Sequence, residues 1–188
     1  MNDTLPSRSE RVAELLQRPA QDPAASDPLR PVLASLLAGR TCQEGVLPAK
    51  LGLSEADFAQ MQEEYFPGRA LSLPSGGVLE PMELSDIITL LLSYRAGQQP
   101  SEVWLAHIVA WGCAGRHHLW HDLGLANRGE LSLLLTTAFP LLAALNTTDM
   151  KWKKFIYRHY CSQEGIYLCP APSCGECADY AKCHSPEE

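Results

Sequence analysis

The chain reads as an all-α protein, a single helical bundle of about six to eight helices with a cysteine-rich loop appended at its C-terminal end. Apolar residues recur at three- and four-residue spacing from Pro31 to Glu164, and no period-two alternation longer than a few residues occurs. The loop is predicted because Cys169, Cys174, Cys177 and Cys183 share fifteen residues with Pro170, Pro172 and Gly175, a stretch too short and too rich in turn formers to bury a core. With 188 residues, 46% of them hydrophobic, one domain can bury a sizeable core. No internal repeat is present.

Residues 1–30 are expected as a flexible N-terminal segment, broken by Pro6, Pro19, Pro23 and Pro28, with one short helix from Ser9 to Arg18. Residues 31–188 form the helical domain, with a C-terminal cluster-binding segment at 161–184. Val32, Leu33, Leu36 and Leu37 open its first helix, and Gly39 is its expected stop. Ser54-Glu-Ala-Asp57 resembles a capping box; Phe58, Met61 and Tyr65 form the inner face of the helix it starts, and Pro67-Gly68 ends that helix. Residues 71–81 connect to a strongly apolar helix, Met82 to Ala96, with Ile87, Ile88, Leu91 and Leu92 inside and Gly97 as its stop. Ser101 is the expected cap of a helix reaching about Gly115 and carrying Val103, Trp104, Ile108 and Trp111. Arg128 or Gly129 begins another, with Leu131, Leu134, Leu135 and Ala138 inside; Pro140 bends or ends it. Asp149 is the expected cap of the last helix, Met150 to about Glu164, which Gly165 closes.

A net charge of -7 and a pI of about 5.3 argue against general nucleic-acid or membrane-surface binding. The opening MNDTLPSRSERVAELLQRP has no apolar core of a secretory signal, and no run of about 18 apolar residues occurs. A cytoplasmic location is expected, where thiols stay reduced and disulfides are disfavoured.

The loop reads C-x4-C-x2-C-x5-C. Thiolates are soft ligands, and four on one short segment can converge on one metal centre. Two disulfides, a zinc ion or an iron–sulfur cluster could close it. Structural zinc sites usually pair two short knuckles across a long spacer, which is missing here. The first three cysteines match the C-x4-C-x2-C run of plant-type ferredoxins, whose fourth ligand lies elsewhere. Spacing therefore favours an iron–sulfur cluster over zinc and leaves the fourth corner to Cys183, Cys161 or a non-protein group.

The helix leading into the loop carries a basic strip. At about 100° per residue, Trp152, Phe155, Ile156 and His159 share a core-facing side, and Lys151, Lys154, Arg158 and Cys161 share another within roughly 80° of arc. Lys151, Lys153 and Lys154 oppose the positive end of the helix dipole. This is either an anion site or a solvated basic face. Arg158 lies only ~4.5 Å along the axis from Cys161, Lys154 about 10 Å and Lys151 about 15 Å, so Arg158 is the first candidate to meet an anion there. His117, His118 and His121 bracket Trp120, and His118 and His121 could share a helical face as metal ligands. Cys42 and Cys113 sit among apolar residues and read as inert buried thiols, Asp122 and Glu130 as structural carboxylates. No nucleophile elbow, phosphate loop or catalytic carboxylate pair is visible.

The block HHLWHDLGL at 117–125, Asn127-Arg128-Gly-Glu130-Leu131, Phe139-Pro140, Asn146, Asp149-Met-Lys-Trp-Lys-Lys-Phe155, Cys161 and the terminal cysteine run together resemble the NifQ family. The resemblance is carried by roughly residues 100–184. It implies a role in nitrogen fixation, in building the iron–molybdenum cofactor of nitrogenase. It implies an iron–sulfur cluster, 3Fe-4S or 4Fe-4S, that takes up molybdenum as a Mo–Fe–S centre, with Cys169, Cys174, Cys177 and Cys183 as cluster ligands. It implies donation of that molybdenum to the NifEN scaffold with the NifH iron protein, so a carrier more than a turnover enzyme. Under this reading Lys154, Arg158 and Lys151 attract molybdate, and Cys161 or His118 completes the molybdenum shell. A zinc-stapled helical interaction module and an iron–sulfur electron carrier are the alternatives.

Overall fold

A computed structural model of the chain describes residues 6–71, 73–74 and 84–163. The regular elements among the described residues are all helices, with no strand. In chain order they form α1 (Arg8–Gln17), α2 (Arg30–Thr41), a 3-10 turn (Ala49–Gly52), α3 (Glu55–Tyr65), α4 (Leu84–Ser93), α5 (Ser101–Cys113), α6 (Leu119–Asp122), α7 (Arg128–Ala138), α8 (Pro140–Ala144) and α9 (Trp152–Gln163). The nine α-helices among the described residues exceed the expected six to eight because α6 and α8 are single-turn pieces. No helix among them is long and apolar enough to cross a membrane.

Residues 6–30 are packed against the bundle, which corrects the expected loose lead-in. Ser7 and Glu10 form a reciprocal capping box that starts α1, and α1 lies along α2. The prolines turn this segment without freeing it, because Leu15, Ala24 and Leu29 are buried. Asp27 is buried too. It accepts hydrogen bonds from Tyr65 Oη at 2.6 Å, Ser101 Oγ at 2.5 Å and the Leu29 N–H at 2.8 Å, joining the N-terminal segment to α3 and α5. Burial and the Asp27 carboxylate push the Tyr65 phenol well above its ordinary range, so it stays a donor.

Gly39 does not stop α2, which continues to Thr41. A Cβ there would sit 2.1 Å from the Gly124 carbonyl oxygen, so this glycine is where the link after α6 crosses α2. Ser54 caps α3 as expected, and Phe58, Met61 and Tyr65 are its buried face. In α4 the buried residues are Ile87, Leu90 and Leu91, whereas Ile88 and Leu92 are only partly covered. Ser101 is not the cap of α5; Pro100 holds that position, and Ser101 lies inside the first turn where it reaches Asp27. The turn before α5 is instead tied by Glu102, a buried carboxylate that accepts the N–H groups of Gly97, Gln98 and Gln99 at 2.5, 2.9 and 2.9 Å. Trp104 and Ile108 of α5 are buried, while Val103 and Trp111 are half-covered. Asn127 caps α7, whose inner face is Leu131, Leu134, Leu135 and Ala138, and Pro140 bends the chain directly into α8.

Candidate functional site

The site is organised by α9, which delivers the chain to the cysteine segment. This helix opens at Trp152, three residues after Asp149, so Asp149 is not its cap. Asp149 instead takes a left-handed turn at φ +51. Asn146 holds the approach, donating from Nδ2 to the Met150 carbonyl at 2.8 Å and accepting the Met150 N–H at 2.9 Å. Phe155 and Ile156 are buried as their spacing predicts; Trp152 and His159 are half-covered.

Two neighbours hold the helix. Toward α4, Tyr94 Oη lies 2.9 Å from His159 Nε2, and Tyr160 Oη donates to Asp86 Oδ2 at 2.8 Å. His159 also stacks on Phe155 with ring centroids 5.8 Å apart, and burial holds its imidazole below the ordinary 6.5. Toward the α5–α6 hinge, Tyr157 Oη donates to the Cys113 carbonyl at 3.3 Å. There Lys153 Nζ donates to the carbonyls of Gly115 at 2.9 Å and His117 at 2.8 Å, and to Asp122 Oδ2 at 2.5 Å.

Lys153 is therefore not a member of the basic strip. Its ammonium uses all three protons on the hinge, and the carboxylate it meets is fully buried. Asp122 Oδ2 additionally accepts the His117 N–H at 2.9 Å, which folds the His117–Asp122 turn back on itself. The structural reading of Asp122 holds. So does that of Glu130, whose Oε2 accepts from Ser35 Oγ at 2.6 Å and from the Ala126 N–H at 2.9 Å.

The strip of Lys151, Lys154, Arg158 and Cys161 is graded in exposure. Arg158 is exposed, Lys151 and Lys154 are half-buried, and Cys161 is 4% exposed. The equal footing suggested by helical angles is lost because α4 covers one flank and the α5–α6 hinge the other. Tyr157, buried at 3%, was missed by periodicity for the same reason: α9 is packed on two sides, so a single apolar stripe does not describe it.

The histidines are arranged differently from the expectation. His118 is the N-cap of α6 with extended backbone, φ -61 and ψ 142, so it does not share a helical face with His121. The pair that meets is His117 and His121, with ring centroids 5.0 Å apart. Cys113 is fully buried, and desolvation pushes its thiol up to about 12 even with Lys153 opposing, which fits an inert core thiol. Cys42 is half-exposed at the C-cap of α2, so the buried reading fails for it.

Cys169, Cys174, Cys177 and Cys183 lie outside the described residues; of the segment 161–184 only Cys161, Ser162 and Gln163 fall inside. Among the described residues no group of three or more His, Cys, Asp or Glu side chains is placed to hold a metal.

The NifQ family profile matches residues 32–185, a span that runs from α2 through the last of the four cysteines. Protein NifQ of Azotobacter vinelandii is 37% identical over 174 residues, covering 85% of this chain and 87% of that protein. Protein NifQ of Rhodobacter capsulatus is 39% identical over 178 residues, covering 88% of this chain and 97% of that protein. Protein NifQ of Klebsiella pneumoniae is 34% identical over 152 residues, or 74% of this chain and 89% of that protein. No solved structure matches the chain. By the extent of these matches, the chain belongs to the NifQ family.

Proposed function

We propose that this chain is a cytoplasmic molybdenum carrier of nitrogen fixation, which takes up molybdenum from molybdate on a Mo–Fe–S cluster and gives it up for assembly of the nitrogenase iron–molybdenum cofactor. The observation that carries the reading is the family match, which extends through the whole cysteine segment. A role in nitrogen fixation follows from membership; the carrier mechanism is our inference.

The donor set suits an iron–sulfur group: Cys169, Cys174, Cys177 and Cys183 offer four thiolates in a compact order with no zinc-type spacer. Those four cysteines would hold a 3Fe-4S or 4Fe-4S cluster, which would offer sulfide ligands and reducing capacity to an incoming heavier metal. The chain's own part is attraction, placement and release. Molybdate is a tetrahedral dianion. Arg158, exposed on α9, meets it first, and Lys154 and then Lys151 extend the positive strip. Cys161, buried one helical turn beyond Arg158, is the thiol best placed to join the cargo's shell from the protein side. His118 is the second candidate; it is the N-cap of α6, next to His117, whose N–H and carbonyl are bound by Asp122 and Lys153.

A carrier must let go of its load, so one labile protein ligand at molybdenum serves better than capture by four cysteines. The recipients in this reading are the NifEN scaffold and the NifH iron protein. No catalytic residue is assigned. The test is molybdate loading of anaerobically purified protein. Arg158→Gln with Lys154→Gln slows molybdenum uptake while iron content stays intact; unchanged uptake removes the anion role of the strip. Cys161→Ala that loads and delivers normally removes the thiol from the mechanism. Iron without molybdenum after loading identifies an electron carrier instead.

A further inference from the structure

A cavity of about 250 Å³ opens where α1 crosses α2 beside the segment that follows α3. Among the described residues, its charged lining is Arg11, Arg18 and Arg69 against the carboxylate of Glu14, with Leu15 and Leu37 as apolar wall. Among the described lining residues, two positive charges are thus in excess, in a chain whose net charge is -7. Glu14 holds its partners loosely, 3.4 Å from Arg11 and 3.5 Å from Arg18, and its own side chain is half-exposed. Arg11 Nε is buried and has no acceptor among the described residues. Arg18 is held in place, donating from Nη1 to the carbonyls of Phe66 at 3.2 Å and Arg69 at 2.9 Å, so its guanidinium is preorganised.

A buried guanidinium N–H without an acceptor among the described residues and an excess of positive charge beside an apolar wall call for a small multivalent anion. We propose that this cavity binds a doubly charged tetrahedral oxyanion between Arg11, Arg18 and Arg69, displacing Glu14 toward solvent. The volume accommodates such an ion together with several waters, at about 30 Å³ per water. The site is separate from the basic strip of α9. Its α1 half precedes residue 32, where the family profile match begins.

The same chemistry suits inorganic phosphate, sulfate and molybdate, and equilibrium binding to the purified full chain separates them. Each is titrated at constant ionic strength against chloride, with thermal shift as a second readout. One saturable dianion site is expected, weakened about tenfold or more by Arg11→Gln and by Arg69→Gln, as befits loss of one charged hydrogen bond. Arg69 is exposed, so its substitution tests the site even where Arg11→Gln impairs folding. Lys154→Gln with Arg158→Gln is expected to leave this affinity unchanged. Preference for molybdate over phosphate assigns the cavity to cargo; equal binding assigns it to general oxyanion sensing. No saturable binding at millimolar anion, binding that survives both arginine substitutions, or binding abolished by the α9 substitutions overturns the proposal.

Discussion

Replacing Lys153 with Met removes the ammonium from a carboxylate that is fully buried. Asp122 Oδ2 keeps only the His117 N–H, and the Gly115 and His117 carbonyls lose their shared donor. Breaking a buried ion pair by deleting one partner costs about 3–5 kcal/mol, because the other charge stays desolvated. Lys153 is 15% exposed, so water relieves part of this and the lower end, about 3 kcal/mol, applies. For a chain of this size that is a fall in Tm of roughly 6–12 °C. The assay is urea unfolding of reduced, metal-free protein, with the thermal midpoint as a check. Lys153→Met with Asp122→Leu removes both charges and is expected to recover at least half of the loss, since two apolar partners leave no orphaned carboxylate. A loss under about 1 kcal/mol in the single variant, or a double variant worse than the sum of the singles, refutes the argument that this pair pins α9 to the α5–α6 hinge.

Gly39→Ala is expected to cost about 1–3 kcal/mol by driving α2 from the Gly124 carbonyl, seen as a lowered urea midpoint. In a site-resolved alkylation experiment at pH 8 on the folded protein, Cys42 is expected to label and Cys113 to stay unmodified, its thiol being buried and raised to about 12. Rapid labelling of Cys113 would contradict its burial. His159 titrates below its ordinary 6.5, so the unfolded chain binds that proton more readily than the fold does. Its contribution is therefore complete above 6.5 and is lost as pH falls through that value toward the folded pKa; His159→Gln should flatten the stability slope there, and an unaltered slope would count against it.

Local signals were legible wherever local chemistry decided the outcome. Ser54 capped its helix, Pro140 bent the chain, and the inner faces of α3 and α7 followed their spacing. The failures involve partners distant in sequence. Gly39 looked like a stop because its role is set by Gly124, and Ser101 looked like a cap because its acceptor is Asp27. Lys153 read only as one of three lysines set against the helix dipole because Asp122, thirty-one positions earlier, gives no local sign of the pairing. Residues 6–30 read as loose because proline content is visible in sequence and the packing of Leu15, Ala24 and Leu29 is not. At the candidate site the cysteine motif was visible at once by spacing. The graded exposure from Arg158 to Cys161 was not, since it depends on α4 and the α5–α6 hinge flanking α9.

The proposed function requires the cysteine segment to hold an iron–sulfur group able to take a heavier metal. Counting iron, molybdenum and zinc in protein purified without oxygen, before and after molybdate loading, tests it most directly. Brown protein with iron bound, a paramagnetic signal, and molybdenum gained on loading are expected. Colourless protein carrying stoichiometric zinc and no iron would contradict it.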